Sequence, residues 1–386
     1  MGLFDYLVEL VGFEAALIIV IFLGFMLIAI LIAPTVQWLY RKIPYFYPVS
    51  GIRTMEGKLL SSSKIKELTE ADNVPVFISS LEGLDYPTYL SLENGYEVGL
   101  RLYLAHTQEE IDLVIPQHLR GFFDSFVRAR WDIRNIKRVL LEAYSKERII
   151  EMPVDLIRIG TIDFDLVKSM YETQELGEIL PKLDETEYAA LITEGVRDWR
   201  ETGSISPLTT LLFRYYFSKC HRLIEDIKGE DREDLLTLIG TIIDITNIRL
   251  IIRLKVDQVP PETIKENLIY PGFEIDPETM NSLVQLDKIE DILNLLTATP
   301  YGEFITQAIK EFERDKDYVG IEKYLQKILI SRVRDISLKR SFGAGPIIAF
   351  LLIKEIEIDC VRSILTGIQE GLSPDEIDKY LALETT

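Results

Sequence analysis

One ten-residue pattern occurs three times in this chain, as WDIRNIKRVL from Trp131, IDITNIRLII from Ile243 and IEIDCVRSIL from Ile356, at intervals of 112 and 113 residues. The second place holds an acid (Asp132, Asp244, Glu357) and the seventh a base (Lys137, Arg249, Arg362). Self-similarity at a fixed period marks a repeated structural unit, and a period of this length is that of a domain. The match extends downstream in the last two copies, where PETIKENL from Pro261 aligns with PDEIDKYL from Pro374, each proline lying 12 residues after its arginine. A second signature, a leucine followed five residues later by a tyrosine, recurs as Leu84 to Tyr89, Leu183 to Tyr188 and Leu296 to Tyr301.

The repeats read as helical. Leu, Ile, Glu, Lys and Arg dominate, apolar residues recur at intervals of three and four, and alternating strand patterns are few. At 100° per residue, Ile133, Ile136 and Leu140 form one apolar stripe, as do Ile245, Ile248 and Ile252, and Ile358, Val361 and Leu365. The repeated acid and base lie about 140° apart, on opposite edges of that stripe and too far apart to pair. Each is expected to meet a charge on a neighbouring helix and to bracket the core of its own domain, in preference to forming a rotor contact or proton path. The expected organisation is a membrane anchor over residues 1–43 and three homologous helical domains over 44–158, 159–271 and 272–386.

A different feature precedes the repeats. From Ala15 to Ala33 the chain reads AALIIVIFLGFMLIAILIA, 19 residues without a charge. An α-helix needs about 20 such residues to cross the hydrocarbon of a bilayer. A transmembrane helix over about 13–33 is therefore expected. A cleaved signal peptide would carry a basic leader, whereas Asp5, Glu9 and Glu14 precede the run with no Lys or Arg. Trp38, Tyr40, Arg41, Lys42, Tyr45, Phe46 and Tyr47 then form an aromatic and basic interface belt, which puts the bulk of the protein on the cytoplasmic side of the cell membrane in a single-pass arrangement.

Composition narrows the partners. The formal charge of -20 opposes nucleic-acid binding, since a phosphate backbone would be repelled. The local run Arg128, Arg130, Arg134, Lys137 and Arg138 is an exception. It reads as a solvated helix face, with an acidic partner or lipid phosphates as the alternative. Two cysteines, Cys220 and Cys360, give no disulfide framework or zinc spacing.

Catalytic motifs are not found. GIRTMEGKLL from Gly51 has five residues between its glycines and Leu59 in place of the magnesium-binding hydroxyl of a phosphate loop. Gly343 and Gly345 lack a third glycine and a preceding strand, and read as a helix break. His106, His118 and His221 show no metal-ligand spacing and read as structural or surface residues. No catalytic, cofactor-binding or metal-ligating residue is assigned, and no cofactor or small-molecule substrate is expected.

Taken together, YPVSGIRTMEGKLLSSSKIKELTEA from Tyr47, the leucine and tyrosine signatures, and the three copies of the ten-residue pattern make the chain from about residue 45 onward resemble the C subunit of archaeal A-type ATP synthases, which is similar to the d subunit of V-type ATPases. The resemblance implies an all-α fold in which three helical domains surround a pseudo-threefold axis as a funnel. It also implies a non-catalytic central-stalk adaptor, a socket joining the rotor shaft of D and F subunits to the membrane proteolipid ring. The chain departs from that pattern in two ways. Cys360 stands where the other copies have Asn135 and Asn247, and the membrane helix is extra. A membrane-anchored helical-repeat scaffold of another assembly is the alternative.

Overall fold

The computed structural model describes residues 6, 8, 10, 12–90, 95–145, 159–173, 175–202, 206–315 and 319–381. Asp5, Glu9 and the expected domain boundary at 158 lie outside them. The described residues form eighteen α-helices, one short 3-10 turn and no strand.

The first helix, α1 (Phe13–Glu56), is 44 residues long, ~66 Å at 1.5 Å per residue. It does not stop at the aromatic belt, as a span of 13–33 would, but runs on through Pro34, Pro44 and Pro48. A proline inside a helix removes a backbone hydrogen bond. The packing of Tyr45, Val49 and Ile52, each no more than 2% exposed, holds the lower half of α1 in place. Its upper half is long and apolar enough to cross a membrane and is only 6% buried. A second helix passes the same test of length and composition, α11 (Glu230–Val256), but 67% of its apolar window is buried and it serves as core.

Three long helices carry the repeated pattern: α6 (Arg120–Ser145), α11 and α17 (Ala344–Gln369). Shorter helices follow each one in the chain. After α6 come α7 (Phe164–Thr173), α8 (Leu176–Lys182), α9 (Ala189–Thr202) and α10 (Ser206–Glu225). After α11 come α12 (Pro261–Glu266), α13 (Pro277–Gln285), α14 (Ile289–Leu296), α15 (Gly302–Asp315) and α16 (Val319–Lys339). Each long helix packs on its followers, α6 on α7, α8 and α10, and α11 on α12 and α16.

Among the described residues helix α17 is followed only by α18 (Pro374–Asp378), and the N-terminal helices supply the rest of its surroundings. The lower half of α1, together with α2 (Ser62–Thr69), α3 (Val74–Ser80) and α5 (Tyr96–Val114), packs against α17, and α18 packs against α2. The single-turn helix α4 (Tyr86–Tyr89) leads into α5. Both ends of the described chain thus share one apolar core, in which Tyr45 and Leu381 lie, while Ile245 to Ile328 contribute a second.

All nine residues of the three stripes are buried. The segment GIRTMEGKLL begins inside the last turns of α1, where no phosphate-cradling loop exists. Gly343 directly precedes α17 and acts as its N-cap.

Candidate functional site

The repeated acids are the most deeply buried charged groups of the pattern: Asp132 and Asp244 are 0% exposed and Glu357 1%. Among the described residues, no charge on a neighbouring helix pairs with Asp132 or Asp244. It gives them amides and hydroxyls. The Asp132 carboxylate accepts the backbone N–H of Thr161 and of Ile162, each at 3.0 Å, and the hydroxyls of Thr161 and Tyr188. Asp244 accepts the N–H of Phe273 at 3.1 Å, the N–H of Glu274 at 2.8 Å and the Tyr301 hydroxyl at 2.8 Å. Burial raises the pKa of both acids, against the pull of these bonds toward the ionised form.

Glu357 performs the same task across the length of the chain. It accepts the Leu60 N–H at 2.6 Å and the Tyr86 hydroxyl at 2.7 Å. A buried lysine one turn back, Lys354, adds a third contact at 2.6 Å. The extra methylene of Glu over Asp lengthens its reach, and the ammonium helps satisfy a carboxylate that accepts one backbone amide where its counterparts accept two.

Small residues make these junctions possible. A Cβ on Gly160 would lie 1.9 Å from Asp132 Oδ1, and one on Gly272 1.9 Å from Asp244 Oδ1. Just beyond, a capping residue opens the next helix: Asp276 caps α13 and Ser61 caps α2, while Asp163 accepts the Asp165 N–H at the start of α7. The tyrosines are set by a threonine. Thr186 donates its hydroxyl to the Leu183 carbonyl at 2.7 Å and receives the Tyr188 N–H at 3.3 Å, and Thr299 does the same for Leu296 and Tyr301 at the same distances. Pro87 stands at that place in the first copy. There Tyr86, not the signature residue Tyr89, reaches the acid, and Tyr89 stacks on Tyr103 at 4.9 Å. This corrects the alignment of the second signature.

The repeated bases point to the last long neighbour of each cluster. Arg249 pairs with Glu322 on α16, Arg362 with Glu97 on α5, and Lys137 lies 5.9 Å from the Phe213 ring on α10. Two of the three therefore meet a charge and the third an aromatic face. The second asparagine copy braces the turn before its junction, since Asn247 donates to the Ile269 carbonyl at 2.7 Å and accepts the Ile269 N–H at 2.9 Å.

A second constellation escapes the sequence reading entirely. The Tyr45 hydroxyl on α1 donates to Asp231 Oδ2 at 2.6 Å and lies 2.7 Å from His118 Nε2. Asp231 in turn accepts the Ala344 N–H at 2.8 Å. His118, Asp231 and Ala344 stand 113 residues apart, each at the start of a long helix. Burial would raise the Asp231 carboxyl, but the neighbouring His118 ring and bonds from Tyr45 and the Ala344 amide outweigh it and hold the group below the usual carboxylate range. Nearby, Lys42 donates to Glu230 and to the Phe342 carbonyl, both at 2.8 Å, and Phe46 meets the Phe342 ring edge-on. Helix α1 passes Ala344 at the level of Tyr45, and the chain just beyond its end reaches Glu357 at Leu60, so α1 runs in the same sense as α17. Its apolar half leaves the body at the end where the long helices begin.

Among the described residues no group of three His, Cys, Asp or Glu could hold a metal ion. His118 belongs to the Tyr45 node, and the basic run is divided in its roles. Arg128 pairs with Asp112 and Asp124, Arg130 with Glu355 and Arg138 with Glu142, whereas Arg134 lies over the Trp131 ring.

Known proteins are similar to this chain. The family described as ATP synthase (C/AC39) subunit matches residues 48–380. The chain is 28% identical over 357 residues to a protein named as the C subunit of an A-type ATP synthase from Methanocaldococcus jannaschii, covering 90% of this chain and 89% of that one. It is 31% identical over 354 residues to the protein of the same name from Thermococcus kodakarensis, covering 90% and 93%, and 27% identical over 354 residues to that from Methanothermobacter thermautotrophicus, covering 92% and 91%. With the match spanning nearly all of the repeated part, the chain belongs to the ATP synthase C/AC39 subunit family.

Proposed function

We propose that this protein is the non-catalytic central adaptor of an A-type ATP synthase, a socket that joins the shaft of D and F subunits to the membrane proteolipid ring so that both turn together. In this reading each long helix and the shorter helices around it make one of three units, the chain's two ends combine to form one of them, and the units surround a pseudo-threefold axis as a funnel. The apolar half of α1 crosses the membrane once, with the body on the cytoplasmic side, and stands inside the rotor ring.

One observation carries the proposal. Tyr45, on the same continuous helix as the apolar run, gathers His118, Asp231 and, through Asp231, Ala344, three positions spaced by 113 residues. An element that meets the starts of all three long helices stands near their common axis. A rotating socket tolerates a membrane tether on that axis and nowhere else, because an off-axis helix would sweep into the stator. The buried acid junctions supply stiffness, since buried polar contacts between separate segments of the chain resist shear.

The placement is tested with a cysteine introduced at Gly24, on the exposed apolar surface of α1. Crosslinking in native membranes is expected to capture the proteolipid ring. Crosslinks confined to stator subunits would contradict the axial placement.

A further inference from the structure

In a chain of formal charge -20, one cavity of about 440 Å³ is lined by Arg101, Arg134, Lys137, Arg138 and Arg362. It lies between α5, α6 and α17. Three acids, Glu97, Glu355 and Asp359, also line it, and each is already engaged within the protein. Glu97 holds Arg101 at 2.5 Å and Arg362 at 2.8 Å, Glu355 holds Arg130, and Asp359 holds Arg362. Arg138 is held by Glu142 at 2.5 Å.

Arg134 and Lys137 are different. Among the described residues neither has a carboxylate within ion-pair distance. Both are held by rings instead, Arg134 at 4.7 Å from Trp131 and Lys137 at 5.9 Å from Phe213. Such contacts fix a cation's position while leaving its hydrogen-bond donors open. Burial, followed by the neighbouring Arg253, pulls the Lys137 pKa down, a disadvantage that an arriving anion would relieve.

The position of the cavity selects the class of anion. Arg134 and Lys137 lie roughly 21 and 26 Å along α6 from its start, and that start adjoins the node where α1 enters the body. Lipid phosphates sit on the far side of the node. Nucleic acid is disfavoured by the overall field. What fits is a carboxylate-bearing protein segment arriving from the side opposite the membrane.

We propose that the cavity around Arg134 and Lys137 is a docking site for a glutamate- or aspartate-bearing segment of a partner protein. The identity of that partner as the D and F shaft rests on the adaptor reading, whereas the chemistry of the site does not.

The test uses the full-length protein in mild detergent with two probes, the purified D and F complex and a blocked helical peptide carrying four glutamates on one face. Binding is compared for the wild type, for the double variant Arg134→Gln with Lys137→Met, and for Arg128→Gln, a residue of the same helix already paired with Asp112 and Asp124. A matched thermal midpoint confirms that the variants fold. The double variant is expected to bind both probes roughly tenfold more weakly, with a shallower salt dependence, while Arg128→Gln binds as the wild type does. Unchanged affinity in the double variant would overturn the site. Binding of the peptide but not of the D and F complex would support the site and remove its assignment to the shaft. Failure of the wild type to bind either probe would overturn the proposal.

Discussion

The carboxylate of Glu357 accepts the hydroxyl of Tyr86, 271 residues earlier in the chain, at 2.7 Å. Asp132 and Tyr188 make the same kind of bond across 56 residues, and Asp244 and Tyr301 across 57. One junction is thus built three times, twice by neighbouring stretches of chain and once by its two ends.

Asp132→Asn should test the energetics of a junction. An amide presents one acceptor oxygen and two donors, and the Thr161 and Ile162 amides donate to different oxygens of Asp132, so one of them would face an N–H. Removing a partner from buried polar groups costs about 2–4 kcal/mol, and the thermal midpoint in detergent is expected to fall by several degrees. Tyr188→Phe leaves both amides satisfied and should cost about 1–2 kcal/mol.

Gly272→Ala should be as damaging as losing the acid, because its Cβ would stand 1.9 Å from Asp244 Oδ1. The two positions contest one volume. The double variant Gly272→Ala with Asp244→Ala is therefore expected to lose less stability than the sum of the single changes, by about 1 kcal/mol or more in a double-mutant cycle. Strict additivity would show that the close approach is not what requires glycine.

Tyr45→Phe should weaken the node between α1 and the long helices by about 1–3 kcal/mol at neutral pH, since the lost donor serves a charged carboxylate. The Asp231 pKa is depressed in the folded state, so its contribution is present above the unfolded value and disappears as pH falls through the folded one. The wild type's advantage over Tyr45→Phe should accordingly shrink on acidification, which urea titrations at neutral and acid pH would measure.

Asp234 should behave in the opposite sense. Burial, with Asp231 and Glu230 nearby, pushes its carboxyl up to about 6 despite the Arg340 guanidinium at 2.9 Å. The folded protein then keeps a proton that the unfolded chain releases near its ordinary value of about 3.9. Stability contributed by this group falls as pH rises from about 4 to about 6 and is flat above. Asp234→Asn should flatten the pH dependence of the thermal midpoint across that window.

The legible part of this fold was carried by periodicity. The apolar run, the helical class and the nine buried stripe residues are local patterns, set by the 3.6-residue turn and the thickness of a bilayer. The partners of the repeated acids were not local. Their amide donors lie 29 and 30 residues away, and in the third copy at the other end of the chain, so no helical wheel could find them. Two signals were nonetheless present: Gly160 and Gly272 at matching distances after their acids, and the Leu-x-x-Thr-x-Tyr form shared by Leu183 and Leu296. The Tyr45 node left no such trace. Asp231 and Ala344 keep the repeat spacing, His118 lies one residue outside it, and all three differ in residue type, because one asymmetric helix meets each of them differently.

The most direct test of the adaptor reading is a mild-detergent purification of the tagged full-length protein from native membranes, with mass spectrometry of everything that co-elutes. Recovery of the proteolipid together with the A, B, D and F subunits is the predicted result. A stable set of other partners, with the proteolipid and the shaft proteins missing, would contradict it.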